Sequence, residues 1–190
     1  MNWPCFLIAA LIAAALDGSL LGVLRVGDAR PSLLMVVCVF VLLNAPQRTA
    51  FRAALVAGLM ADLLTPIMYS DATVLVVVGP QVLAFALGAA TFLSFRNLLY
   101  RKSPIALGFG TCVFAILVAL GGTSVFVLRS MLGGETPWGE AGSASSTVLS
   151  GFVVAGLTAI LGALVLPQLH RTRALWAFDS TSRLVGGAAR

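Results

Sequence analysis

The sequence predicts an all-α, polytopic membrane fold of about six transmembrane helices, and three observations carry that prediction. First, the 190 residues are 59% hydrophobic and only 10% charged, against roughly 45–50% apolar and about 25% charged in soluble domains. A core of this length cannot hide so much apolar side chain, so lipid must solvate most of it. Second, charge and Pro/Gly punctuation divide the chain into apolar blocks at about 4–24, 31–45, 50–66, 73–95, 104–128 and 147–167. Third, the basic residues gather between those blocks and not in runs with interleaved aromatics, so topology and not a nucleic-acid partner accounts for the net charge of +5.

Block by block, the opening MNWPCFLIAALIAAAL lacks a positive n-region and its apolar run continues past Asp17 to Leu24. It reads as a first transmembrane helix and not as a cleaved signal. The second and third blocks are short against the about 20 residues a spanning helix needs. Pro46, Gln47 and Arg48 make a tight turn between them, and the pair reads as thin spans, tilted spans or a re-entrant hairpin. Gly79–Pro80 lies inside the fourth block, where it is expected to kink the helix, with Gln81 placed to satisfy the freed groups. The segment RSMLGGETPWGEAGSASS, 129–146, holds Glu135 and Glu140 and reads as a mobile extracytoplasmic loop with Trp138 at the interface. Residues 168–190 mix Leu169, Leu175, Trp176 and Phe178 with arginines, as an amphipathic segment on anionic headgroups or a disordered tail would. The organisation is thus a six-helix transmembrane domain, 1–167, and a basic cytoplasmic tail, 168–190, with no internal sequence repeat.

Orientation follows from the connections. Arg48, Arg52, Arg96, Arg101, Lys102, Arg171, Arg173, Arg183 and Arg190 fall on one side; Arg25, Arg30 and Arg129 fall on the other. The positive-inside rule places both termini in the cytoplasm.

Catalytic and metal chemistry find little footing. Cys5, Cys38 and Cys112 sit in apolar runs without paired spacing, and the lone His170 has no His or Cys nearby, so neither a disulfide, a metal site nor a cofactor is expected. No nucleophile has a plausible base, and no enzyme is expected.

Two patterns inside the apolar blocks stand out. Small residues recur every fourth position as Ala10, Ala14, Gly18 and Gly22, as Ala50, Ala54 and Gly58, and as Gly151, Ala155, Ala159 and Ala163. That spacing puts each series on one helix face, for internal packing or for another protein. Two carboxylates, Asp17 and Asp62, lie within the first and third blocks. Asp62 extends the small face of its helix and is expected to meet protein. A charge at the bilayer centre costs about 2.5–3.5 kcal/mol on insertion scales, so a partner is expected, with Arg25, Arg30 and Arg129 as the candidates on that side. A structural ion pair or hydrogen-bonded carboxylate, an ion-coupling group and a partner or ligand contact all remain open.

At RPSLLMVVCVFVLL, a basic turn and RAALVAGLMADLLT, the chain resembles the rod shape-determining protein MreD family. The residues that carry the likeness are Pro31 and then Gly58, Leu59, Asp62 and Leu63, in a third helix ending on a G-L-x-x-D-L motif. Ser32 departs from the acidic residue that often follows the Pro, and PIMYSDATVLVV departs from the usual Gly-Leu-rich sequence after the motif. The resemblance implies a non-enzymatic inner-membrane scaffold of the cell-elongation machinery, working with an MreC-like bitopic protein and, through it, an actin-like MreB filament and peptidoglycan synthases. It also implies a fold similar to the substrate-binding subunits of energy-coupling-factor transporters. A second possible role is therefore the substrate-binding subunit of a small-molecule, vitamin-type transporter. Tyr69, Ser70, Asp71, Gln81 and Trp138 are the few polar and aromatic groups it would have for a ligand.

Overall fold

The computed structural model describes residues 1–19, 29–64, 67–68, 74–75, 78–96, 103–131 and 144–178. Among them the architecture is all-α, with six helices: α1 Trp3–Ser19, α2 Leu33–Asn44, α3 Gln47–Leu64, α4 Pro80–Phe95, α5 Pro104–Met131 and α6 Ala144–Arg171. A 3-10 helix, Arg173–Trp176, follows α6. Between α3 and α4, Ile67–Met68 pairs antiparallel with Val74–Leu75, in the register Ile67 to Leu75 and Met68 to Val74.

The axis of the fold is α2. Its sequence LLMVVCVFVLLN is apolar on every side, and the eight residues Val36–Leu43 are all buried. A helix hydrophobic all round is stable only when wrapped by apolar neighbours, and α2 touches α1, α3, α4, α5 and α6. With 12 residues it rises only ~18 Å, so both its ends fall inside or close to protein. By contrast α5 and α6, with 28 residues each, are long and apolar enough to cross a membrane; α1, α2 and α4 are apolar but shorter.

Small residues set the closest approaches. On α6, a Cβ at Gly162 would lie 2.5 Å from the Thr111 hydroxyl of α5, and one at Gly151 would lie 2.8 Å from Ala119 Cβ. Across the same seam, a Cβ at Gly108 would meet Ala163 Cβ and the Ala159 carbonyl. The face Gly151, Ala155, Ala159 and Ala163 is therefore used internally, against α5. Phe114 of α5 stands edge-on to both Phe85 and Phe92 of α4 and completes the apolar centre on that side.

Two boundaries differ from the sequence reading. The fourth helix starts at Pro80 and not near residue 73, so Gly79–Pro80 is a helix start and not a kink. Gly79 has φ 133°, a conformation that side-chain-bearing residues rarely adopt, and Pro80 occupies the first helical position, where a missing N–H costs nothing. At the other end, α6 runs through Pro167 to Arg171, so the helical domain does not close at 167. The following residues pack back: Trp176 and Phe178 are buried and stand against Phe40 of α2, and the Asn2 N–H donates to the Trp176 carbonyl at 2.9 Å. Through residue 178 the tail is thus part of the core. Residues 179–190 lie outside the described residues.

Candidate functional site

Helices α1 and α3 end at the same end of the bundle where α2 and α4 begin, and each of those beginnings is met by a carboxylate. A helix N-terminus leaves four N–H groups without intrahelical partners. In an apolar surround each must be satisfied or it costs free energy.

At α2 all four are accounted for by side chains. The Ser32 N–H donates to Thr158 Oγ1 of α6 at 3.2 Å, Leu33 N–H to Asp17 Oδ1 at 2.6 Å, Leu34 N–H to Asp17 Oδ2 at 3.1 Å, and Met35 N–H to Ser32 Oγ at 3.3 Å. The Ser32 hydroxyl in turn donates to Asp17 Oδ2 at 2.9 Å, so the serine relays the carboxylate's charge to the fourth donor. A negative charge at a helix N-terminus also matches the positive end of the helix dipole.

The start of α4 uses a single residue. Asp62 accepts from the N–H groups of Gly79 at 2.8 Å, Gln81 at 2.9 Å and Val82 at 3.2 Å, and Pro80 has no N–H to satisfy. Asp62 is 3% exposed. What lets it reach α4 is Gly58, one turn earlier on the same face. A Cβ at Gly58 would lie 2.8 Å from Val82 Cα and 2.9 Å from the Gln81 carbonyl, so only glycine allows the two backbones to come this close. Ala50, Ala54, Gly58 and Asp62 all lie on this buried face of α3.

The other end of α2 is held by Arg96, just past α4. Its Nη1 donates to the Ala45 carbonyl at 2.9 Å and the Leu42 carbonyl at 3.4 Å. A cation at a helix C-terminus completes the complement to the dipole. In the sequence Arg96 reads only as a topology determinant; nothing local to it points to α2, more than 50 residues away.

Between the two capped helix starts lies a cavity of about 210 Å³, lined by Asp17, Arg30, Ser32 and Gln81 on its polar side and by residues such as Met35 and Phe85 on its apolar side. Among the described residues neither carboxylate is hydrogen-bonded to an arginine. Both accept from main-chain N–H groups, with the Ser32 hydroxyl added at Asp17, because a helix N-terminus is already beside each of them. Arg30 lines the cavity near enough to interact electrostatically with Asp17. Arg129 sits in the last turn of α5, and Arg25 lies outside the described residues.

Of the remaining expected residues, Pro31 is buried and also lines the cavity. Ala10 and Ala14 are buried, Gly18 is open with nothing within 4 Å of a Cβ, and Gly22 lies outside the described residues. So do Tyr69, Ser70, Asp71 and Trp138. No group of three His, Cys, Asp or Glu side chains able to hold a metal occurs among the described residues.

Comparison with family models, with curated proteins and with solved structures yields no match for this chain.

Proposed function

We propose that this chain is a six-helix protein of the bacterial cytoplasmic membrane, with both termini in the cytoplasm. In this reading it acts as a non-enzymatic scaffold of the cell-elongation machinery by binding an MreC-like bitopic partner. The observation that carries the proposal is the use made of the G-L-x-x-D-L segment, through which the sequence resembles the MreD family. Gly58 and Asp62 work together as an architectural clamp, one bringing α3 and α4 into contact and the other closing the start of α4. A carboxylate committed to three backbone donors is poorly suited to proton relay or acid–base catalysis, and suits a protein whose task is to hold a shape.

The surface supports the membrane part of the reading. Large apolar side chains stand exposed around the outside, among them Ile8 and Leu11 on α1, Phe109 on α5, and Ile160 and Leu164 on α6. The end of the bundle with the α2–α3 turn and the end of α6 carries Arg48, Arg52, Arg96, Arg171 and Arg173, as a cytoplasmic end does. The cavity between the helix starts favours a second reading, a substrate-binding subunit of a vitamin-type transporter.

Crosslinking in native membranes separates the two. Capture of a bitopic membrane protein, with rounding of rod-shaped host cells on depletion, supports the scaffold. A vitamin retained through purification with no such partner captured supports the transporter subunit. Reporter fusions in the α2–α3 turn and at the C-terminus should report cytoplasm, and one between α5 and α6 the outside; any other pattern breaks the topology.

A further inference from the structure

The cavity between the starts of α2 and α4 has a chemistry of its own, independent of the scaffold reading. Its about 210 Å³ is far above the ~10–15 Å³ that admits one water, and most of its wall is apolar. Of its two charged residues, Asp17 is spent: its oxygens accept from Ser32, Leu33 and Leu34, and the helix dipole offsets its charge. Arg30 is not spent. Exposed at the cavity wall, its guanidinium interacts with Asp17 only electrostatically and makes no hydrogen bond or salt bridge among the described residues, and the side-chain amide of Gln81, on the same wall, makes no hydrogen bond there either.

We infer that this cavity binds an anionic amphiphile, with a carboxylate or phosphate head on Arg30 and a short apolar body against Leu34, Met35, Leu64 and Phe85. The planar guanidinium fork pairs bidentately with either head, and Gln81 supplies a further amide donor. The apolar wall, at the end of a bundle that carries exposed apolar helices, suits a hydrocarbon chain better than a fully hydrated anion. A cationic amphiphile is disfavoured because the Asp17 oxygens are already taken by the Ser32 hydroxyl and the Leu33 and Leu34 N–H groups.

The test is equilibrium binding of radiolabelled decyl phosphate and decanoate to the intact protein in neutral maltoside micelles, where an uncharged amphiphile is already in excess. Arg30→Gln should weaken binding about tenfold or more, as losing a charge-assisted contact does. Gly18→Leu, which adds bulk at the cavity wall where a Cβ meets nothing, should weaken it as well. Arg129→Gln, at the same end of the bundle but away from the cavity, should leave it unchanged and serves as the control for micelle charge. Nanodiscs with and without dioleoyl phosphatidylglycerol identify the source: stronger native-mass-spectrometry retention of that lipid marks a bilayer lipid, and stronger retention of the single-chain probes marks a soluble amphiphile. The inference is overturned if Arg30→Gln binds like wild type, if Arg30→Gln and Arg129→Gln lose binding equally, or if inorganic phosphate alone binds as tightly as decyl phosphate. None of these outcomes depends on whether a bitopic partner is captured.

Discussion

The starts of α2 and α4 meet the same problem with different means. Each is a helix beginning in apolar surroundings, and each takes an aspartate from the end of the preceding helix. At α2, Asp17 is one of three side chains that share four donors, with Ser32 and Thr158. At α4, Asp62 alone takes three donors and Pro80 removes the fourth. Asp62 is buried against a glycine-permitted contact, whereas Asp17 is only half-buried and faces a cavity. One corner is closed and carried by a single group; the other is open and shared. The closed corner belongs to the fold, and the open one is where a ligand can enter.

The largest effect should come from Asp62→Ala. It strands three N–H groups in a dry site, each in a charged hydrogen bond worth about 1.5–3 kcal/mol, so a loss of about 3 kcal/mol or more is expected in unfolding from mixed micelles. Asp62→Asn keeps one acceptor oxygen and should lose about half as much. Equal stability of Asp62→Ala and wild type would remove the distinction between the corners.

Asp17→Ala should cost less, about 1–2 kcal/mol, within the range for lost helix caps. Ser32 and Thr158 remain, and water can reach the site from the cavity. The informative quantity is the difference between the two alanine variants under the same conditions. If Asp17→Ala proves the more damaging, the open corner carries more of the fold than its geometry indicates.

Arg96→Gln tests the opposite end of α2 and should cost about 0.3–1 kcal/mol, the range for a charge at a helix terminus. Asp17 and Arg96 cap ends ~18 Å apart, so their effects should add to within about 0.5 kcal/mol in the double variant. A larger coupling would mean that α2 moves as a rigid unit when either cap is released.

Much of this was legible in the sequence, and the reasons for the rest are physical. The six apolar blocks locate the six helices, and the four-residue spacing of Ala50, Ala54 and Gly58 puts Asp62 on the face that meets α4. The start of α4 at Pro80 is not legible because the run from Val74 to Val78 is as apolar as a helix. Its β-branched residues favour extended backbone, and the glycine before Pro80 marks where the helix can begin. The caps were illegible for a different reason. A local capping box announces itself within four residues, but Asp17 and Asp62 reach N–H groups 16 to 20 positions downstream, and only the packing of neighbouring helices brings them there. The docking of Trp176 on Phe40 was hidden in the same way, since an aromatic among arginines has the same composition whether it rests on lipid or on protein.

The smallest effect on stability is expected where the small-residue faces differ from one another. Ala155 is fully buried within the core and Gly151 abuts Ala119, so bulk on that face of α6 disturbs folding before it can disturb any partner. Gly18 is the contrast: it is exposed at the end of α1, beside Asp17, and a Cβ there meets nothing within 4 Å. Replacing a glycine inside a helix also recovers about 0.5–1 kcal/mol of backbone entropy, so Gly18→Leu should leave stability unchanged or slightly raised. The same variant separates what the open corner is for. If it weakens decyl phosphate binding while crosslinking to a bitopic partner persists, Gly18 belongs to the cavity. If crosslinking is lost while the amphiphile still binds, this end of α1 is a protein contact and the cavity wall lies elsewhere. A large fall in stability would contradict both, because it would require a close neighbour at Gly18.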